Sequence, residues 1–530
     1  MAWKEAFELS PSEVRAATPP GTVILLENGT DVGIEGPSSN GLVRQPQPSS
    51  NPRDPLNFPF WRKLVALFMV SFYAFVANFT SSGIAPALQL WNFTFPHDQR
   101  SYSELSTLIA INILFLGASN IWWVPLSNWM GRRPVLVLAS LLMTCCTIWC
   151  GVAPSFHSLF AARLFQGAGG GAADSVAPVV AGEMFFVHQR GRAMGVYTVF
   201  LSLGPFVGGL AGGYIAFDKG WEYTFWVGTA LSAFSFVGMA IFVPETLFER
   251  PIYQTDQSPE DQVNDSKAQS ERIEDANPTE QKHFTFIQSL GFGPVRGNIL
   301  TLAIRPWKSL YLPGTLVVML HYAGLVGGVV TISTIGAQLV AEPPYLWGAN
   351  AGLINVGGLI GTALGYIYTH FTSDRIVRRQ VRKNNQHGVT EAEHRLPTMF
   401  FPLAITTSGF FVFGFCAQNP GPYRWVGLEA GFAMLSFGLM QVPSVGFNYL
   451  VDSYHSLAAD CLTMVTILRA VIAFSWTFFV AHWIEERGAA EPFGIFGMLM
   501  GIFGLLTVPL WLFGKRMRIA TASSVERWSR

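Results

Sequence analysis

Five charged or titratable side chains stand inside otherwise apolar stretches of this sequence, Arg163, Asp174, His321, Glu429 and Arg469, and Glu183 stands at the end of one. A charge in such a run costs about 2.5–3.5 kcal/mol on insertion scales, so it normally has a partner and a task. The chemistry open to these residues is reversible protonation and ion pairing. Asp174 leads as a proton-site candidate, followed by Glu183 and Glu429. Asp174 follows Arg163 by eleven residues, about 16 Å along a helix, so the two do not pair directly but can line one cavity. His321 either titrates near neutral pH or is a satisfied interior histidine. Arg469 has no partner visible in the sequence. The amides Asn78, Gln166, Asn355 and Gln441 share this setting, and with His321 and Arg469 they form the candidate substrate-cavity set.

Covalent chemistry has no foothold. No nucleophile stands at helical spacing from a base, and the five cysteines lie in apolar segments without metal-ligand spacing to histidine. The glycine run from Gly167 lies inside a span and lacks the Gly-Lys-Ser/Thr of a phosphate loop. The expectation is a protein that is not an enzyme, with no metal, no cofactor and, at net charge +0, no bulk attraction to nucleic acid.

The elements that must position these residues are long and apolar. Only 13% of the 530 residues are charged, against 50% hydrophobic; soluble domains carry roughly 25% charged residues. Twelve runs are long enough to cross a bilayer at about 20 residues each: 62–86, 104–127, 134–153, 157–181, 191–217, 222–244, 312–338, 346–371, 398–417, 424–450, 457–483 and 492–513. The fold class expected is an all-α membrane protein with two six-helix bundles. Residues 1–60 read as a disordered tail, 61–244 and 311–514 as the bundles, 245–310 as a polar central linker, and 515–530 as a C-terminal tail.

Lysine and arginine set the orientation. Arg132, Arg133, Arg190, Arg192, Arg375, Arg378, Arg379, Lys515 and Arg516 fall on one side, whereas the opposite loops hold only Arg100, Lys219, Arg424 and Arg487. Both termini and the linker are therefore expected to be cytoplasmic. Asn92-Phe-Thr94 is then the one glycosylation sequon in an outer loop.

Three motifs carry a resemblance. Leu126, Gly131, Arg132 and Arg133 match a loop pattern Gly-x-Leu-x-Asp-x-x-Gly-Arg-Arg between the second and third spans, with Val124 and Asn128 departing from it. Leu159, Arg163, Gln166 and Gly167 match Leu-x-x-x-Arg-x-x-Gln-Gly in the fourth. Gly191, Gly204, Pro205, Gly208 and Gly209 match a glycine-proline pattern in the fifth, with Phe200 at one glycine position. Together they resemble the major facilitator superfamily, and the fifth-span pattern resembles the motif of its drug:proton antiporters. The stretches 51–63, 393–397 and 448–454 are similar to fungal members of the twelve-span branch. The resemblance implies a major facilitator fold with substrate bound between the halves. It also implies a cytoplasmic gate from Asn128, Gly131, Arg132 and Arg133 with Glu183, mirrored by Asp374, Arg375 and Asp452. The resemblance further ties Arg163 to proton transfer, and the function implied is proton-coupled export of small amphipathic organic compounds. A proton-coupled uptake symporter or uniporter of the same fold is the alternative. The partners expected are a small-molecule substrate, protons and the lipid bilayer, for a monomer in the plasma or vacuolar membrane.

Overall fold

The architecture is that of a computed structural model, which describes residues 3–17, 19, 23–24, 51, 53–248, 291, 298–383, 389–454 and 457–529. It is almost wholly helical. Among the described residues, eleven helices are long and apolar enough to cross a membrane. The twelfth is the fourth span, formed by Phe156–Gly170 and Ala172–Met184; its glycines, Arg163, Gln166 and Asp174 dilute its apolar character.

The first half contributes span one (Phe60–Ser82), span two (Tyr102–Ala118 continued by Asn120–Met130), span three (Arg132–Gly151), span four, span five (Val187–Lys219) and span six (Trp221–Phe242). The second contributes span seven (Pro313–Ala341), span eight (Asn355–Lys383), span nine (Phe400–Gln418), span ten (Trp425–Ser453), span eleven (Ala458–Arg487) and span twelve (Ala490–Leu505 continued by Thr507–Ser529). Helix starts follow ordinary capping: the Ser101 and Ser155 hydroxyls accept backbone N–H groups in spans two and four. Gly131, at φ 113°, makes the sharp turn from span two into span three, a conformation other residues enter at a cost.

Packing shows the repeat. Span one lies on five, two on four, and three on four and six. Seven lies on eleven, eight on ten, and nine on ten and twelve. The second half thus repeats the first with each span advanced by six. Across the halves, two meets eleven and five meets eight.

Three stretches differ from the sequence reading. Within the expected tail, Trp3–Glu8 is a helix docked on the end of span twelve, with Ala6 fully buried. The Trp3 indole donates to the Tyr311 hydroxyl at 2.7 Å. Within the expected linker, Ile299–Lys308 is a helix. Beyond the expected end of span twelve, the helix runs on to Ser529 and buries Arg518. Its Arg and Lys residues are good helix formers, so charge alone does not end it. Arg518 donates to Glu391 at 2.7 Å and to Glu393 at 2.6 Å, and Lys515 donates to Glu391 at 2.7 Å. The expected tail also holds a second short helix, Pro11–Ala16, a strand pairing of Val23–Ile24 with Val389–Thr390, and a turn at Pro55–Asn57; residues 25–50, 249–290 and 292–297 lie outside the described residues. The end of the molecule carrying these docked segments is called the terminal end below.

Candidate functional site

Between the halves lies a cavity of about 1190 Å³, counted out to open solvent. Spans one, two, four and five line it from one side, and seven, ten and eleven from the other. Its walls are mostly apolar, including Ile113, Leu201, Val326 and Phe447. Polar groups are few: Asn78 on span one, Asp174 on four, Tyr197 on five, Tyr322 on seven and Arg469 on eleven, with several serines and threonines.

Asp174 and Arg469 meet here. The guanidinium donates to Asp174 Oδ2 across the boundary between the halves, and the two side chains are only 3% and 7% exposed. Asp174 is the one carboxylate among the described lining residues. The Arg469 guanidinium also lies 4.9 Å from the Tyr322 ring centre, so its charge is held by an aromatic face as well. Asp174 Oδ1 and Arg469 Nε have no hydrogen-bond partner among the described residues. The pair is electrically neutral yet keeps one acceptor and one donor unspent.

Arg163 sits apart from the cavity lining, fully buried. It donates to the carbonyls of Thr80 at 2.7 Å, Ser81 at 2.6 Å and Leu108 at 3.1 Å, and to Gln166 at 2.7 Å. Gln166 in turn donates to Thr147. The arginine therefore ties span four to spans one and two through neutral acceptors.

The remaining cavity candidates divide. Asn78 and Arg469 line the space, whereas Gln166, His321, Asn355 and Gln441 do not. His321 lies 2.7 Å from the Phe503 carbonyl, joining span seven to twelve. Asn355 accepts from Ser333 at 2.9 Å, and Gln441 accepts from Thr369. Glu429 accepts the Gly357 N–H at 2.6 Å, joining ten to eight. The four that do not line the cavity and Glu429 each have an inter-helix bond, the ordinary fate of buried polar groups, whereas Asn78 donates within span one to the Ala74 carbonyl at 3.0 Å.

Span five carries two glycine faces. On one, a Cβ at Gly204 would stand 2.6 Å from the Phe75 carbonyl, and at Gly208 2.4 Å from that of Phe79, so this face requires glycine against span one. On the other, a Cβ at Gly209 would stand 2.5 Å from the Asn355 amide, and at Gly352 2.7 Å from the Gly209 carbonyl. That face closes the halves on each other at the end opposite the terminal end, where Tyr214 also donates to Asn350 at 3.0 Å. Pro205 lies between the faces and lines the cavity. Gly191 is in the same helix, its surroundings outside the described side chains. Phe200 packs edge-on against Phe68.

At the terminal end, Arg132 donates to Ser127 at 3.0 Å, to Asn128, and to Glu183 at 3.3 Å. Asn128 thus takes the acceptor position without bringing a charge. Arg133 does not reach Glu183: its side chain donates to the Ala240 carbonyl at 2.6 Å. The backbone N–H groups of Arg132 and Arg133 donate to Glu245, a residue sequence reading left in the linker. Burial pushes the Glu245 carboxyl above the usual carboxylate value, against those N–H bonds. In the second half, Asp452 pairs with Arg395 at 3.5 Å. Asp374 and Arg375 fall on the span-eight helix, their side chains outside the described residues. Asp460, at the start of span eleven, pairs with Arg305 at 2.8 Å. On the far side, Asn92 is exposed and exchanges two hydrogen bonds with the Arg100 backbone.

Comparison with known proteins covers most of the chain. The family model of the Major Facilitator Superfamily matches residues 66–475. An uncharacterized MFS-type transporter of Schizosaccharomyces pombe is 26% identical over 95% of this chain and 93% of its own length. The efflux pump vrtL of Penicillium aethiopicum is 25% identical over 93% of this chain and 94% of its own. Among solved structures, a partially occluded inward-open conformation of the xylose transporter XylE from E. coli superposes with a TM-score of 0.56, covering 85% of this chain and 99% of that one at 14% identity.

Proposed function

The chain belongs to the Major Facilitator Superfamily, a multi-pass membrane transporter rather than an enzyme, and from that premise we propose that it is a proton-coupled exporter of small amphipathic organic compounds. The observation that carries this reading is the Asp174–Arg469 pair in the cavity between the halves. Protonating Asp174 removes the anion that neutralises Arg469, so proton binding alters the contact between the halves. Cargo that reaches the unspent Asp174 oxygen competes with the proton for the same carboxyl. Competition of this kind makes exchange, not co-transport, the favoured cycle, because each ligand lowers the other's affinity by the same factor. The apolar walls suit an amphipathic cargo, and relatives named as efflux pumps support export.

In this reading the terminal end is cytoplasmic, in keeping with its arginine and lysine content, and the membrane is the plasma membrane, with the vacuolar membrane as the other site. The protein works as a monomer. The gate consists of Arg132, Asn128 and Glu183 on one half and Arg395 with Asp452 on the other. The deciding test uses purified protein in liposomes with an imposed proton gradient. Export predicts that an inward proton flux drives cargo the opposite way. Cargo moving in the same direction as protons would establish uptake instead.

A further inference from the structure

Helix Ile299–Lys308 has two unlike faces. One face buries Pro306 and rests on Asn120–Met130 of span two and on the start of span eleven. There Arg305 pairs with Asp460 at 2.8 Å. The other face holds Leu300, Ile304 and Trp307, which follow one another at helical spacing and are 67%, 56% and 46% exposed. No described residue covers them.

Position indicates what does. Only the turn Ser309–Tyr311 and Leu312 separate this helix from Pro313, where span seven begins. The face therefore lies within a few residues of the apolar belt of the spans. It continues that belt, because the segment it packs on exposes Ile121 and Trp122. Trp307 and Tyr311 are residue types concentrated at headgroup depth. A short helix with one apolar face lies in the plane of the interface; here Arg305 points away from that face to Asp460, and exposed Lys308 stands at its edge.

We infer that Leu300, Ile304 and Trp307 form a lipid-docking face, inserted at the headgroup–acyl boundary of the leaflet on the terminal side. The docked helix touches both halves at once, span two in the first and span eleven in the second. Lipid thereby holds a brace across the junction that must move during transport.

The test reads depth, not transport, so its failure is distinct from failure of the exporter assignment. The full chain, with Cys145→Ser and Cys416→Ser, is placed in phospholipid nanodiscs carrying a nitroxide at Leu300→Cys, at Ile304→Cys, or at the solvent-exposed reference Lys219→Cys. Collisional broadening by oxygen and by a water-soluble nickel chelate is compared. The expected result is loss of chelate broadening and gain of oxygen broadening at both helix sites relative to the reference. Chelate broadening equal to the reference would place the face in water and overturn the inference. Loss of both would show a protein occupant, a second copy or the linker, and would overturn it equally.

Discussion

Arg469 of span eleven donates to Asp174 of span four, so two residues 295 positions apart close a buried ion pair across the junction of the halves. Breaking one partner of such a pair leaves a charge stranded, whereas removing both leaves none. That asymmetry makes the pair readable by mutation.

Asp174→Asn should lower thermal stability by about 3–5 kcal/mol, the usual cost of stranding one buried charge, and should abolish dependence of transport on the proton gradient. Asp174→Asn combined with Arg469→Met should recover most of the stability without restoring coupling. Melting in detergent and gradient-driven flux in liposomes read the two effects separately. Full coupling in Asp174→Asn would remove this carboxyl from the mechanism.

Arg163 makes a different prediction. Its bonds go to carbonyls and an amide, so Arg163→Met unties three helices. The expected loss is about 4 kcal/mol, at roughly 1 kcal/mol for each of the four hydrogen bonds. The folded fraction should still respond to the proton gradient. A variant of normal stability that lost coupling would instead make Arg163 part of the proton path.

The glycine faces of span five should separate folding from transport. Gly208→Ala drives a methyl at the Phe79 backbone and should cost about 1–3 kcal/mol of stability. Gly209→Ala meets the Asn355 amide across the halves and should chiefly increase labelling of a cysteine at Tyr214, near the closed end. Gly195→Ala, with nothing within 4 Å, is the neutral control. Unchanged labelling in Gly209→Ala would show that the halves do not bear on each other there.

The docked end of span twelve should loosen in acid. Burial alone would raise the Glu391 carboxyl, but the hydrogen bonds and charges of Lys515 and Arg518 bring it below its ordinary value of 4.5. A depressed carboxyl stabilises the folded form above the ordinary value, and that contribution is lost as pH falls through the lowered one. Limited proteolysis should therefore release the C-terminal segment more readily as the buffer is acidified below the ordinary carboxylate range. Arg518→Ala should release it at neutral pH. Resistance of Arg518→Ala would show that the helix is held by its apolar contacts instead.

Orientation has its own readout. Expression in a eukaryotic secretory system should attach glycan at Asn92 and none at the sequons Asn28-Gly-Thr30 and Asn264-Asp-Ser266, which fall in the expected cytoplasmic tail and linker. Loss of the mass shift in Asn92→Gln checks the site, and modification of Asn264 would invert the topology.

Spans were legible because their signal is local: twenty apolar residues announce a helix wherever they fall. The two glycine faces were legible as a motif, though which neighbour each face meets was not. Arg469 was visible as a costly residue, but its partner lies in the other half, and no periodicity links positions that far apart. The burial of Glu391, Glu393 and Arg518 was not legible, because it exists only once the last helix packs on Ala392–Met399. Trp3–Glu8 was hidden by the polar composition of the residues after it. His321, Glu429 and Gln441 stood out because a polar residue in a span is costly, and the inter-helix hydrogen bonds that offset this cost were not legible.

The contact of Gly209 with Gly352 has a consequence for the energy supply of the cell. In the proposed antiport cycle, two backbones meeting without side chains at Gly209 and Gly352 would keep water out of that end and so insulate the electrochemical gradient while the cavity exchanges its contents. A substitution that props this contact open should turn the carrier into a leak, visible as slower growth on expression even when no cargo is present.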